Sequence, residues 1–202
     1  MEKVFNKAEY LKNEFNSFWQ DILGEEQDFF SKMTEEGFDV LKAALNNINN
    51  IITHNTTLKA IDSISEILNI NDVDKEKIIE VVNSTKPNDN GYDIESRGYK
   101  PFICEVKCNR PINGGNRFGS AQKNGIKKDL EALLYGKSKS SIGTEELREF
   151  YKFMVIYEFD YKTNEAVKHY LSLMAGELKE RVILYQYGMT LDRDNVYILL
   201  LK

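Results

Sequence analysis

Cysteine, histidine, proline and glycine are all scarce in this 202-residue chain, with two, two, three and 12 copies respectively. Two cysteines cannot build a disulfide framework. Cys104 and Cys108 are four residues apart, and on a strand they would share one face at a separation of roughly 13 Å, at about 3.3 Å per residue. A disulfide needs Cα atoms within about 7 Å, so these thiols cannot pair with each other there, nor share a zinc ion. They read as small buried apolar residues. His54 and His169 each lack a second histidine nearby, which removes a histidine-ligated metal centre. The chain holds no Ser-His-Asp order, no phosphate-cradling Gly-x-x-x-x-Gly-Lys and no Cys/His zinc spacing. Long apolar runs are missing too. Val196–Leu201 is far short of the about 20 residues that a bilayer requires, and the first residues carry charges where a secretory signal would be apolar. The expectation is a cytoplasmic protein with no membrane partner. Hydrophobic residues make up 42% of the chain and charged residues 29%, the balance of a folded protein rather than a disordered one.

Positive charge is in deficit overall, at a net −5, which argues against a nucleic-acid partner. Its distribution argues the opposite way. Residues 97–140 hold ten Lys/Arg against three Asp/Glu, so the rest of the chain is strongly acidic.

Apolar residues recur at helical spacing through the first seventy positions. Phe5, Ala8, Leu11, Phe15, Trp19 and Ile22 mark one helix, and Phe30, Met33, Leu41, Ala44, Leu45 and Ile48 a second. A third runs through Leu58, Ile61, Ile64 and Leu68, with loops expected at 23–24 and 53–57, the latter containing His54. A short helix over 75–83 follows, with Asp74 as its N-cap and Val73 stapled to Ile78. Then turn formers fill 84–91, and strands begin: 92–96 and 101–108 read as a hairpin around a turn at 97–100. A Gly/Asn-rich loop over 113–119 feeds a helix over 120–135, with Ile126, Leu130, Leu133 and Leu134 inward. A buried-type strand at 151–159, a helix at 164–180 and strands at 181–187 and 195–201 close the chain. The order predicts an α+β (mixed α/β) fold, with a helical region over 1–71 and a mixed-sheet domain over 72–202.

The chemistry concentrates in the hairpin. On a strand, Glu105 and Lys107 point to one face while Cys104, Val106 and Cys108 point to the other. Charged residues on an apolar strand need a polar cleft or partners. Asp93, on the partner strand, lies level with Glu105. Adjacent carboxylates repel unless a cation sits between them, which is what a hard divalent ion supplies. Asp93, Glu105 and the Val106 carbonyl would hold Mg²⁺ or Mn²⁺, and Lys107 would orient or deprotonate a water or stabilise charge on phosphorus. The alternative is a hairpin with a surface salt bridge between Glu105 and Lys107. Glu-x-Lys by itself carries nothing, since Glu177-Leu178-Lys179 repeats it on a predicted helix.

Gly91-Tyr92-Asp93-Ile94-Glu95-Ser96 followed by Phe102-Ile103-Cys104-Glu105-Val106-Lys107 resembles the PD-(D/E)XK superfamily of restriction-endonuclease-like nucleases. It is similar in particular to the Gly-Tyr-Asp-Ile-x-Ser … Ile-Glu-Val-Lys signature of NO VEIN C-terminal-like domains. The resemblance is close over 91–109 and loose over 72–160. It implies a central mixed sheet flanked by helices, Asp93 and Glu105 as metal ligands, and Lys107 as the catalytic lysine. The family core has a strand before the one that carries the Asp, and only 84–90 is available for it. Many members place a Glu on the first core helix, where Glu80 is the natural candidate and Glu76 lies one turn earlier. Relatives also use a Gln or Lys on the next helix beside the metal. Gln122 fits that place, or else closes a helix terminus.

The expected activity is metal-assisted phosphodiester hydrolysis on nucleic acid, with DNA as substrate and a restriction or phage-defence role. Arg110, Arg117, Lys123 and Lys127 of the basic segment are the expected phosphate contacts, which position a duplex without reading bases. The loop over 113–117 would place amides and Arg117 against a phosphate, or simply connect. The N-terminal helices would serve homodimerisation or substrate contact. The rivals are a silent nuclease-like fold used for binding, an RNA nuclease or partner-dependent toxin, and a helical interaction protein with an incidental hairpin.

Overall fold

Helices lead and strands follow, as the apolar spacing predicts. The computed structural model describes residues 5–86 and 90–202. The chain divides into two units, one ending at Asn49 and the other spanning Asn50–Lys202. The boundary expected at 71 thus falls earlier, inside a helix.

In the first unit, α1 (Lys7–Leu23) starts at Asn6, whose side chain accepts hydrogen bonds from the Ala8 and Glu9 amides, and it stops at Gly24 with φ 69°. Phe15 packs its ring against Trp19, Phe30 and Phe38 at centroid distances of 6.3, 5.9 and 5.4 Å. No residue of α1 is buried.

The next helix, α2 (Glu35–Leu68), runs on where a loop is expected at 53–57. Threonine is a weak helix former, but Thr56 and Thr57 turn their hydroxyls onto the Ile52 and Thr53 carbonyls four residues back, at 2.8 and 2.9 Å. His54 therefore lies on a helix. All seven buried residues of α2 belong to its second half, from Thr56 to Leu68, which is why the second unit begins at Asn50. α3 (Asp72–Ser84) is capped by Asn71, whose side chain accepts from the Asp74 amide, rather than by Asp74. Val73 is 68% exposed and staples nothing.

Among the described residues five strands follow: β1 (Ile94–Ser96), β2 (Phe102–Lys107), β3 (Tyr151–Tyr157), β4 (Val182–Leu184) and β5 (Val196–Leu201). They form one mixed sheet in the order β1-β2-β3-β5-β4. The β1–β2 pair is antiparallel, and β2–β3, β3–β5 and β4–β5 are parallel. Helix α4 (Ser120–Tyr135) makes the crossover from β2 to β3, and α5 (Tyr161–Ser172) and α6 (Glu177–Arg181) lie between β3 and β4. The single helix expected over 164–180 is broken: α5 ends at Ser172, and the chain passes through Gly176, at φ 61°, to enter α6. The extra strand sought in 84–90 is not seen at 84–86 or 90; residues 87–89 lie outside the described residues.

The architecture is therefore α+β, with helices on both faces of a mixed sheet. Alternation along β2 divides the core. Ile103 joins Met154, Ile156, Val196 and Ile198 beneath Ile126, Leu130, Leu133, Ala166 and Val167. Phe102, Cys104 and Val106 join Phe153, Val155, Tyr197 and Leu199 beneath Ala60, Ile61, Ile64, Leu68 and Ile78. Both cysteines are free, and Cys108 packs at the margin of the second cluster. Among the described residues no helix is long and apolar enough to cross a membrane.

Candidate active site

The β1–β2 register pairs Ile94 with Cys104, so the next step of the ladder sets Asp93 opposite Glu105. Asp93 makes no ladder contact. Its Oδ2 instead accepts the Val106 amide at 2.7 Å, which fixes the carboxylate beside β2. Main-chain groups of successive β2 residues point to opposite edges. The Pro101 carbonyl accepts the Tyr151 amide of the β3 side, so Val106, five residues on, faces the β1 edge. Its carbonyl emerges just past the end of the β1 ladder, on the same side as Asp93.

Glu105 and Lys107 project toward α4, as the strand alternation predicts, and there they meet partners the hairpin does not contain. Lys107 Nζ pairs with Asp129 Oδ2 of α4. Glu105 Oε1 pairs with Lys137 Nζ at 2.5 Å, with the glutamate side chain only 6% exposed. Lys137 also donates to the Gly91 carbonyl at 2.6 Å and sits 4.9 Å from the centroid of the Tyr92 ring. Tyr92 is held in turn by its hydroxyl, which donates to the Ala132 carbonyl at 3.0 Å. The surface salt bridge between Glu105 and Lys107 is thus replaced by two separate pairs, each bound to the α4 region.

Burial and the neighbouring charge of Asp93 push the Glu105 carboxyl up to about 7, against the pull of Lys137. Asp93 is open to solvent but ringed by protein, and lost hydration raises it too, partly offset by the Val106 amide and the two lysines. Burial alone would lower Lys107, but its pairing with Asp129 and the charges of Glu105 and Asp93 outweigh burial and raise it. Lys107 is consequently an ammonium at neutral pH.

A recess of about 320 Å³ adjoins this cluster, lined by Asp93, Lys137, Asn50, Thr53, His54 and Lys86 among others. A larger groove of about 960 Å³, lined by Glu66, Glu158, Lys168 and Tyr185 among others, contains none of the cluster.

The remaining sequence candidates are placed elsewhere. Gln122 closes the N-terminus of α4: its Oε1 accepts the Gly119 amide at 2.9 Å and its amide donates to the Arg110 carbonyl at 2.6 Å. That is the capping reading rather than the metal-side one, and both ends of the amide are committed. Glu80 is exposed on α3. Among the described residues no group of three or more His, Cys, Asp or Glu is arranged to hold a metal ion, so Glu80 adds no third carboxylate to Asp93 and Glu105. Arg110 stacks on the Phe159 ring at 4.1 Å. Arg117 is exposed, Lys123 is half-buried, and Lys127 pairs with Glu131 at 3.6 Å. The Gly/Asn-rich loop is tied to α5, with Lys162 donating to the Gly114 carbonyl at 2.5 Å and Asn116 to Glu165 at 3.2 Å. Around Gly125 a Cβ would meet nothing within 4 Å, so close packing does not account for that glycine.

Asp129 and Lys137 are the cluster members that sequence reasoning missed. Asp129 carried a signal: it lies three residues after Ile126 and four before Leu133, on the apolar stripe of its helix, where a carboxylate needs a partner. Lys137 carried none beyond membership of the basic segment.

The groups here that could hold a metal ion are the Asp93 and Glu105 carboxylates and the Val106 carbonyl, an all-oxygen set. That suits Mg²⁺ or Mn²⁺, which are commonly held by one or two carboxylates, waters and substrate phosphate rather than by a full protein cage. No family model, no curated protein and no solved structure matches the chain.

Proposed function

We propose that this chain is a metal-dependent nuclease of the restriction-endonuclease-like PD-(D/E)XK type, hydrolysing phosphodiester bonds of nucleic acid, with DNA as the substrate. The observation that carries the reading is the meeting of Asp93 and Glu105 at the open end of the β1–β2 ladder, with Lys107 on the same face as Glu105. A cluster of this kind is stored electrostatic work: both carboxyls are held above their ordinary pKa by lost hydration, with the charge of Asp93 adding to the rise of Glu105 and that of Asp129 to both.

A divalent ion at this site would supply charge neutralisation at the scissile phosphate and a more acidic water. The protein's own groups do the rest. The Val106 amide ties down one oxygen of Asp93 and leaves the other directed outward. Glu105 contributes a desolvated carboxylate. Lys107 is held charged by Asp129, so its role is to stabilise negative charge developing on the phosphoryl oxygens rather than to abstract a proton. Asp129 positions Lys107. The exposed Arg117 and Lys127 and the half-buried Lys123 supply phosphate contacts. A restriction or phage-defence endonuclease is the setting this activity fits.

The unit ending at Asn49 fits dimerisation better than substrate contact. Residues 1–49 hold five lysines against ten acidic residues, which repels phosphate. Leu11, Ile22 and Val40 there are 51, 57 and 69% exposed.

One observation favours a second reading, a nuclease-like fold used only for binding. Each buried carboxylate of the α4 side already has a lysine, so the cluster can neutralise itself without metal. Calorimetric titration with Mn²⁺ separates the two: binding that Glu105→Gln abolishes supports the nuclease, and no binding by the wild type supports the silent fold.

A further inference from the structure

We propose that Lys137 is a resident counter-ion that occupies the metal's place on Glu105 and, when the ion arrives, is released onto substrate phosphate in the adjoining recess. The inference rests on the metal-dependent reading above and extends it to a residue outside the hairpin.

Lys137 follows the end of α4, where Gly136 turns the chain at φ 95°. That turn carries the lysine back across Tyr92 toward β2. Its ammonium touches two oxygens, Glu105 Oε1 at 2.5 Å and the Gly91 carbonyl at 2.6 Å. The lysine side chain is 25% exposed. Glu105 is thus neutralised by a flexible cation that keeps an open path to solvent, whereas Lys107 is committed to Asp129. A divalent ion on the Glu105 carboxylate would stand beside that ammonium and repel it, so each would weaken the other's hold on the carboxylate.

Displacement has somewhere to go. Lys137 itself lines the recess of about 320 Å³, together with Thr53, His54, Lys86 and Asp93. These walls offer hydroxyl, imidazole and ammonium groups, the donors that contact phosphate oxygens. A phosphate bound beside Asp93 would receive Lys137 as it leaves Glu105. The lysine would then oppose metal binding in the free protein and favour nucleic-acid binding in the loaded one.

A merely structural lysine would not move those two affinities in opposite directions. The test uses the full chain as wild type, Lys137→Met and Lys137→Arg, with thermal melts to check folding and Lys137→Gln as the substitute if Met does not fold. Mn²⁺ affinity is measured by calorimetry, and affinity for a short labelled DNA duplex is measured by fluorescence anisotropy in calcium buffer over a salt series. Lys137→Met is expected to bind Mn²⁺ about tenfold more tightly or better. It should bind the duplex more weakly, with the salt slope reduced by about one. Lys137→Arg should stay near wild type in both. If the wild type binds Mn²⁺ and Lys137→Met binds it no better, the counter-ion role is overturned while the metal reading stands. An unchanged duplex affinity and salt slope overturns the phosphate role. If neither protein binds Mn²⁺, the metal-dependent reading fails and this inference fails with it.

Discussion

The two faces of β2 are made from alternate residues of one six-residue strand, and they are built on opposite principles. Toward α2 and α3, Phe102, Cys104 and Val106 enter a predominantly apolar layer, at 0, 0 and 4% exposure. Toward α4, Ile103 does the same but Glu105 and Lys107 bring two charges into a partly desolvated site. The first face needs only shape. The second needs a counter-charge for each group, and the fold recruits both from the α4 region, as Asp129 and Lys137. Period-two alternation thus lets one strand serve stability and chemistry at once. It also predicts that the two faces will answer mutation and pH in opposite ways.

The largest contrast is in stability. Phe102→Ala should destabilise the protein by about 3–5 kcal/mol in urea melts, by lost transfer energy and a cavity beside Phe153 and Ile61. Glu105→Gln should cost little, or even stabilise the metal-free protein at pH 8, because it removes a buried charge. Equal losses from the two would break the contrast.

Acidity sharpens it further. Glu105 has its folded-state pKa raised to about 7 from an ordinary 4.5. Its folded state therefore prefers the protonated form, and that stability is fully present below pH 4.5. Between pH 4.5 and 7 about 3 kcal/mol should be lost, the gap expected for a shift of this size. Glu105→Gln should flatten that part of the profile. Mn²⁺ should restore stability increasingly as pH rises through the same window, with proton release on binding. A wild-type profile parallel to that of Glu105→Gln would show that the carboxyl titrates normally.

On the α4 side, Asp129→Ala leaves Lys107 without its carboxylate and should lower stability by about 1–3 kcal/mol. It should also reduce cleavage through mispositioning of Lys107, with little change in Mn²⁺ affinity. The smallest effect belongs to Gly125, whose surroundings are open. Gly125→Ala should raise stability by up to about 1 kcal/mol through helix propensity alone, leaving the site untouched.

What was legible in the sequence follows the range of the interactions. The β2 alternation and the extent of α4 were readable because short-period apolar patterns set them. The level placement of Asp93 and Glu105 was readable because a hairpin is local. Helix α2 was misread at 53–57, since two hydroxyls satisfied by backbone carbonyls look, in sequence, like loop residues. The helix at 164–180 reads as one because its apolar spacing persists through Met174 and Leu178, although α5 ends at Ser172 and Gly176, at positive φ, opens α6. Asp129 and Lys137 could not be assigned to Lys107 and Glu105 from sequence, since the crossover through α4 brings them together. Gln122 was ambiguous for the opposite reason, because capping a helix and facing a site demand the same position.

The most direct test of the central claim is nicking of supercoiled plasmid with Mg²⁺ or Mn²⁺ by wild type, Glu105→Ala and Lys107→Ala, each checked for folding by circular dichroism. The account predicts cleavage by the wild type, no measurable cleavage by Glu105→Ala, and a loss of about 10²–10⁴-fold in Lys107→Ala. Wild-type cleavage that survives both substitutions, or a folded wild type that neither cleaves nor binds Mn²⁺, would contradict it.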